Sequence, residues 1–186
     1  MPVLASDVHG FLPLHYAAMA GHVEQMELLI ERAPDTLKMP SRFGATPLFV
    51  AIQLGQAPAT KVLLKKGREQ EFQLLDARLV DGYTPLLSAL HEGDLDVLSE
   101  IVPFLEPSHM QATTEESITP LMLACELQDV ELTQKFIEIE ADINAQDKEG
   151  YTALDRALKH QSLATAGLLR ETTLTPQLMA SIAQYA

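Results

Sequence analysis

The chain has 186 residues, 47% of them hydrophobic, and a formal net charge of −13. No apolar run reaches the ~20 residues that cross a bilayer, and a single cysteine, Cys125, excludes an internal disulfide. Fifteen acids between Glu92 and Glu149 stand against only Lys135 and Lys148, so that segment holds the whole excess charge and the rest of the chain is neutral. Such a field argues against nucleic acid or an anionic membrane as partner and fits a protein with a basic surface, although acidic faces also serve solubility alone. Met1 to Ala5 shows no charged region followed by a long apolar one, so no secretory signal of the usual kind is expected. The lone thiol suits a reducing, cytoplasmic setting. Release into a host cell by a non-classical route is the alternative.

After the short lead Met1 to Ser6, Gly10 provides a turn and a helix is expected from Pro13 to about Ala20. A turn at Gly21 and His22 then reverses the chain, and Val23, Met26, Leu29 and Ile30 stripe a returning helix, with Glu24, Gln25, Glu27 and Glu31 on its other face. The return stripe recurs as Ala57, Thr60, Leu63 and Leu64; as Leu95, Leu98, Ile101 and Val102; as Val130, Thr133, Phe136 and Ile137; and as Leu163, Ala166 and Leu169. Gly67 to Asp81 is too apolar, at Phe72, Leu74, Leu75 and Leu79, for a solvated loop, so an extended finger or an extra helical turn is expected there. Pro103 is expected to end the third return helix near Val102. The connection from Pro107 to Glu116 is expected to be irregular and the most mobile. Gly150 supplies a positive φ, Thr152 caps a helix from Ala153, and Leu154, Ala157 and Leu158 mark its buried side. Thr175 and Pro176 open a last helix with Leu178, Met179, Ile182 and Tyr185 on one side.

Five segments align: GFLPLHYAA from Gly10, GATPLFVAI from Gly44, GYTPLLSAL from Gly82, SITPLMLAC from Ser117 and GYTALDRAL from Gly150. Pro13, Pro47, Pro85, Pro120 and Ala153 are spaced by 34, 38, 35 and 33 residues. With the ADINA of Ala141 to Ala145, this pattern resembles the ankyrin repeat; Leu12, Ser117 and Ala153 depart from it. The resemblance implies an all-α solenoid of stacked helix-turn-helix units joined by β-turn hairpins. It implies one domain over 1–186, with repeats at about 7–40, 41–78, 79–113, 114–146 and 147–171 and a capping helix at 172–186. A helix pair alone is half a core, so stability is expected from stacking.

The resemblance also implies a non-catalytic adaptor or scaffold that binds another protein through a concave groove, as a monomer. It places the column after the turn glycine, Phe11, Ala45, Tyr83, Ile118 and Tyr151, at the groove's exposed edge. Phe11, Phe43, Tyr83, Ile118 and Tyr151 are the expected apolar anchors, and Glu92, Glu115, Glu116, Glu126 and Glu149 the acids that would select a basic partner. The alternative for the aromatics is packing between neighbouring repeats. The alternative for the module is self-association, or docking within a longer protein, through the uncovered first repeat or the last helix. His15, in the T-P-L-H position, is expected to make a structural hydrogen bond. No spacing suggests a metal, a nucleotide or another cofactor. An enzymatic reading would need Cys125, His91 and Asp129 to converge, whereas Cys125 on a helix interior predicts burial and a raised pKa.

Overall fold

The computed structural model describes residues 4–172. The expected helix through Leu178 and Tyr185 lies outside the described residues, as do Met1 to Val3. The chain divides into two compact units, Met1–Leu105 and Glu106–Ala186. The first holds α1 (Pro13–Met19), α2 (Val23–Arg32), α3 (Pro47–Gln53), α4 (Ala57–Glu69), α5 (Pro85–Glu92) and α6 (Leu95–Ile101). The second holds α7 (Pro120–Glu126), α8 (Val130–Glu138), α9 (Ala153–Lys159) and α10, helical over 163–172. No strand occurs among the described residues, and the architecture is that of an ankyrin-type, all-helical array. In the first unit α3 packs on α1, α4 and α5, and α4 on α2 and α6; in the second α7 packs on α8 and α9.

One turn precedes every inner helix. The amide N–H groups of Asp7, Ser41, Leu79, Thr114 and Asp147 donate to the carbonyls four residues on, at Phe11, Ala45, Tyr83, Ile118 and Tyr151. The amides of Gly10, Gly44, Gly82, Ser117 and Gly150 donate back to the first residue of each turn. That fold-back needs a left-handed residue, and the five have φ of 84°, 82°, 86°, 63° and 86°. Single rungs tie neighbouring hairpins within each unit: Arg42 N–H to His9 O at 2.9 Å, Val80 N–H to Phe43 O at 3.4 Å and Lys148 N–H to Glu116 O at 3.0 Å.

Proline then opens α1, α3, α5 and α7, where its missing N–H would have had no helical partner. Thr84, Thr119 and Thr152 cap the next turn, each hydroxyl accepting an amide N–H at 3.3 Å. Thr46, in the same column, is buried, and its hydroxyl has no hydrogen-bond partner.

Three return helices depart from the expected stripe at its first residue. Leu95, Val130 and Leu163 are exposed, and the residues two further on, Val97, Leu132 and Thr165, are buried in their place. The first residue of each return helix stands at the turn, before the helix has closed on its neighbours. Met26, Thr60, Leu98, Thr133 and Ala166 keep their expected burial. Leu158 is likewise exposed and Leu154 half-buried, so Ala153 and Ala157 form the tight face of α9.

The apolar stretch after Gly67 takes the extra-turn form. Helix α4 runs 13 residues, followed by a 3₁₀ turn at Leu74–Asp76 that buries Leu74 and Leu75. A Cβ on Gly67 would stand 2.5 Å from Leu74 Cδ1, so the absence of a side chain is what admits that return. Another 3₁₀ turn, Pro107–Gln111, buries Met110 and leads into buried Ala112 and Thr114. The connection expected to be irregular is thus an anchored one.

A second left-handed column closes each inner helix: Gly21, Gly55 and Gly93 in the first unit, Gln128 and Gln161 in the second, the last two at φ 60°. An L-residue pays roughly 1–2 kcal/mol for that conformation. Gln161→Gly is therefore expected to stabilise the protein by about 0.5–1 kcal/mol after glycine's own entropy cost. Thermal unfolding of the variant measures it, and a lowered Tm would show that the Gln161 side chain outweighs its backbone strain.

Candidate functional site

In the first unit the hairpins and the ends of the inner helices frame an open cavity of about 560 Å³ lined by Phe11, Met19, Phe43, Leu54, Val80 and Asp81, among others. Its floor is the packed cluster of Ala45, Phe49 and Val50, against which Phe11 and Leu79 lie half-buried. Above the floor the walls stay in water: Phe43 is 58% exposed, Leu54 49% and Val80 83%. The His9 ring stacks on Phe43 at 6.1 Å, and Phe11 meets the His15 ring edge-on at 5.2 Å. Tyr83 is half-buried with His91 against its ring at 5.9 Å, and Glu92 is exposed at the end of α5. Phe11 and Phe43 thus share one groove, whereas Tyr83 does not line it. Met19, Leu54 and Val80 do line it, and none of the three was among the expected anchors.

The second unit is different in kind. Glu115, Glu116 and Glu149 are exposed on its two hairpins, and Ile118 is half-buried. Tyr151 is 43% exposed, with the Lys159 ammonium 5.8 Å from its ring centre. Glu126 is already engaged, because its carboxylate accepts from Arg156 Nη1. Expected as a charge presented to a partner, it instead belongs to an internal network. Arg156 also donates from Nη2 and Nε to Asp147 Oδ2, at 2.6 and 3.2 Å. Asp147 Oδ1 in turn accepts the Glu149 and Tyr151 amides, both at 2.9 Å. Burial raises the Asp147 pKa, but Arg156 and the two amides outweigh it and hold the carboxyl below its usual range.

The first repeat carries a counterpart. Asp7 Oδ1 accepts the His9 and Phe11 amides, and Oδ2 accepts the Tyr16 hydroxyl at 2.7 Å. The Tyr16 bond, aided by those amides, lowers the Asp7 pKa against some desolvation. Tyr16 and Arg156 occupy the same place on their helices, so each reaches back from its helix to lock the acid that starts its hairpin.

His15 is wholly buried and bridges two repeats: Nδ1 accepts the Leu12 amide at 3.0 Å, which leaves the proton on Nε2 to be donated to Ala45 O at 3.0 Å. Burial depresses its pKa, with the Ala45 carbonyl opposing. Cys125 is fully buried on α7, and desolvation pushes its thiol up to about 12. A group so placed is neither ionised nor reachable, which removes the nucleophile from the enzymatic reading. No helix of the described residues is long and apolar enough to cross a membrane.

Three similar proteins bear on identity. The poly [ADP-ribose] polymerase tankyrase of Caenorhabditis elegans is 28% identical over 160 residues, 78% of this chain and 7% of that protein. The nuclear factor NF-kappa-B p105 subunit of Gallus gallus is 29% identical over 170 residues, 88% of this chain and 17% of that protein. The probable 26S proteasome regulatory subunit p28 of Saccharomyces cerevisiae is 27% identical over 157 residues, 84% of this chain and 68% of that protein. The chain therefore corresponds to a small part of the first two. The family model for ankyrin repeats (three copies) matches residues 14–106 and again 86–178. With the recurring hairpin, the paired helices and the His15 bridge, that match settles the assignment: the chain belongs to the ankyrin-repeat family.

Proposed function

We propose that the chain is a non-catalytic recognition module that binds another protein, one with a basic surface, along its hairpin edges and inner-helix faces. Ankyrin repeats are in general protein–protein interaction modules. The observation that supports the finer reading is the exposure of large apolar side chains at the hairpins of each unit, Phe43 in the first and Tyr151 in the second. Phe11, Tyr83 and Ile118 add half-buried apolar surface, and Glu92, Glu115, Glu116 and Glu149 supply exposed negative charge. Such acids act chiefly on encounter rate and choice of partner.

The test is capture of a partner from the producing cell, followed by kinetics. Association is expected to slow as salt rises, and reversal of Glu115 and Glu116 to lysine is expected to slow it at low salt; rates indifferent to both would remove the electrostatic part. Tyr83→Ala with Tyr151→Ala is expected to cost about 2 kcal/mol or more of binding with helical content unchanged. Unfolding of that double variant would mean that the rings are packing elements.

Self-association is a second reading, and one feature favours it: the outer side of the first repeat carries an open cleft lined by Pro13, Tyr16, Ala17, Ala20 and Leu29. Sedimentation equilibrium separates the two, since a monomer at all accessible concentrations removes the second.

A further inference from the structure

We infer that the groove of the first unit recognises a partner segment in which one bulky apolar side chain stands beside a lysine or arginine. This rests on the protein-binding reading and adds the chemistry of what is bound. The cavity of about 560 Å³ is walled by Phe11, Met19, Phe43, Leu54 and Val80, and a space of that size with such walls is filled most favourably by an apolar group that displaces water. Phe43 and Val80, its most exposed walls, sit on adjacent hairpins joined by the Val80 N–H to Phe43 O rung. An inserted side chain would therefore be gripped by two repeats at once.

One ionised side chain lines the cavity among the described residues, and it is Asp81. Its Oδ1 accepts the Tyr83 amide at 3.1 Å, which fixes the carboxylate at the rim. Oδ2 has no hydrogen bond to any described residue, so a fixed negative charge with an open oxygen stands beside an apolar hole. A cation next to the inserted side chain is stabilised there, and an acid is repelled. Gln53, which also lines the cavity, offers an amide to the bound main chain.

The experiment pans a displayed library of random peptides against the full chain and titrates the enriched sequences by fluorescence anisotropy. The enriched peptides are expected to pair a bulky apolar residue with lysine or arginine, and Phe43→Ala is expected to weaken them at least about tenfold. Asp81→Asn keeps the acceptor for the Tyr83 amide and is expected to abolish the basic preference; Asp81→Lys is expected to turn it toward aspartate and glutamate. Phe43 and Asp81 are exposed, and circular dichroism of each variant checks that folding is retained. Enriched peptides indifferent to all three variants overturn the inference. If those peptides respond instead to Tyr151→Ala, the protein-binding reading stands while the groove assignment falls. A library that yields no enriched sequence also overturns the inference, and the partner-capture experiment then decides the broader reading.

Discussion

His15→Ala is expected to lower the unfolding free energy by about 3–4 kcal/mol, measured by denaturant titration at neutral pH. The ring is wholly buried and fills space between the first hairpin and the second. Its removal leaves a cavity and one orphaned backbone group, the buried Leu12 N–H, while the Ala45 carbonyl keeps its bond from the Ser41 amide and loses a second donor. A buried N–H without a partner costs about 1–3 kcal/mol, and the lost volume adds to it. His15→Phe separates the two causes. Phenylalanine occupies the same helix position in the next repeat, as Phe49, so it restores bulk and leaves the Leu12 N–H unpaired; it is expected to recover the volume part of the loss and not the hydrogen-bond part. The histidine also gives a pH signature. Its folded pKa lies below the ordinary 6.5, so the unfolded chain binds a proton that the folded chain refuses, and stability falls as pH drops below that value. The slope is expected to vanish in both variants. A loss below about 1 kcal/mol for His15→Ala would mean that water replaces the ring's two hydrogen bonds.

Arg156→Ala is expected to lower Tm by roughly 5–10 °C. The Asp147 side chain is only 2% exposed and meets Arg156 through both Nη2 and Nε, while Glu126 loses its partner at the same time. Removing the cation strands a buried carboxylate, and that carboxylate holds the hairpin through the Glu149 and Tyr151 amides. Asp147→Asn keeps an oxygen for those amides. Combined with Arg156→Ala it is expected to cost much less than the sum of the two single changes, because neutral asparagine needs no counterion. The acid limb follows from the lowered Asp147 pKa: its contribution is complete above the ordinary carboxylate value and is lost as pH falls through the depressed folded one. Arg156→Ala is expected to flatten that limb. Strict additivity in the double variant would show that Arg156 and Asp147 act independently.

The repeat, its hairpin and its caps were legible because they depend on residues within a few positions of each other. Glycine at four of five turns, threonine before the helix and proline at its first residue each answer a local demand of the backbone. The return stripe was right except at its first residue in three helices, Leu95, Val130 and Leu163, because three- and seven-residue offsets define a helical face without saying where the neighbouring helix begins to cover it. The Glu126 pairing was invisible for another reason: Arg156 lies 30 residues away, and charge pattern alone gives no distance. At His15 the family pattern carried the information, since nothing local announces a bond to Ala45. In the candidate site, position in the repeat identified Phe11 and Phe43, but the contribution of Met19, Leu54 and Val80 depends on how two hairpins and two helix ends enclose a space.

The hairpin rungs have a consequence for how such a chain can change length. The turns that begin at Asp7, Ser41 and Leu79 are 34 and 38 residues apart, yet the rungs that join them, Arg42 to His9 and Val80 to Phe43, connect the same positions. The extra residues are wound into α4 and the Leu74–Asp76 turn, and none of them reaches the hairpin side. Added length can therefore be taken up behind the hairpins while the hairpin rungs keep their register.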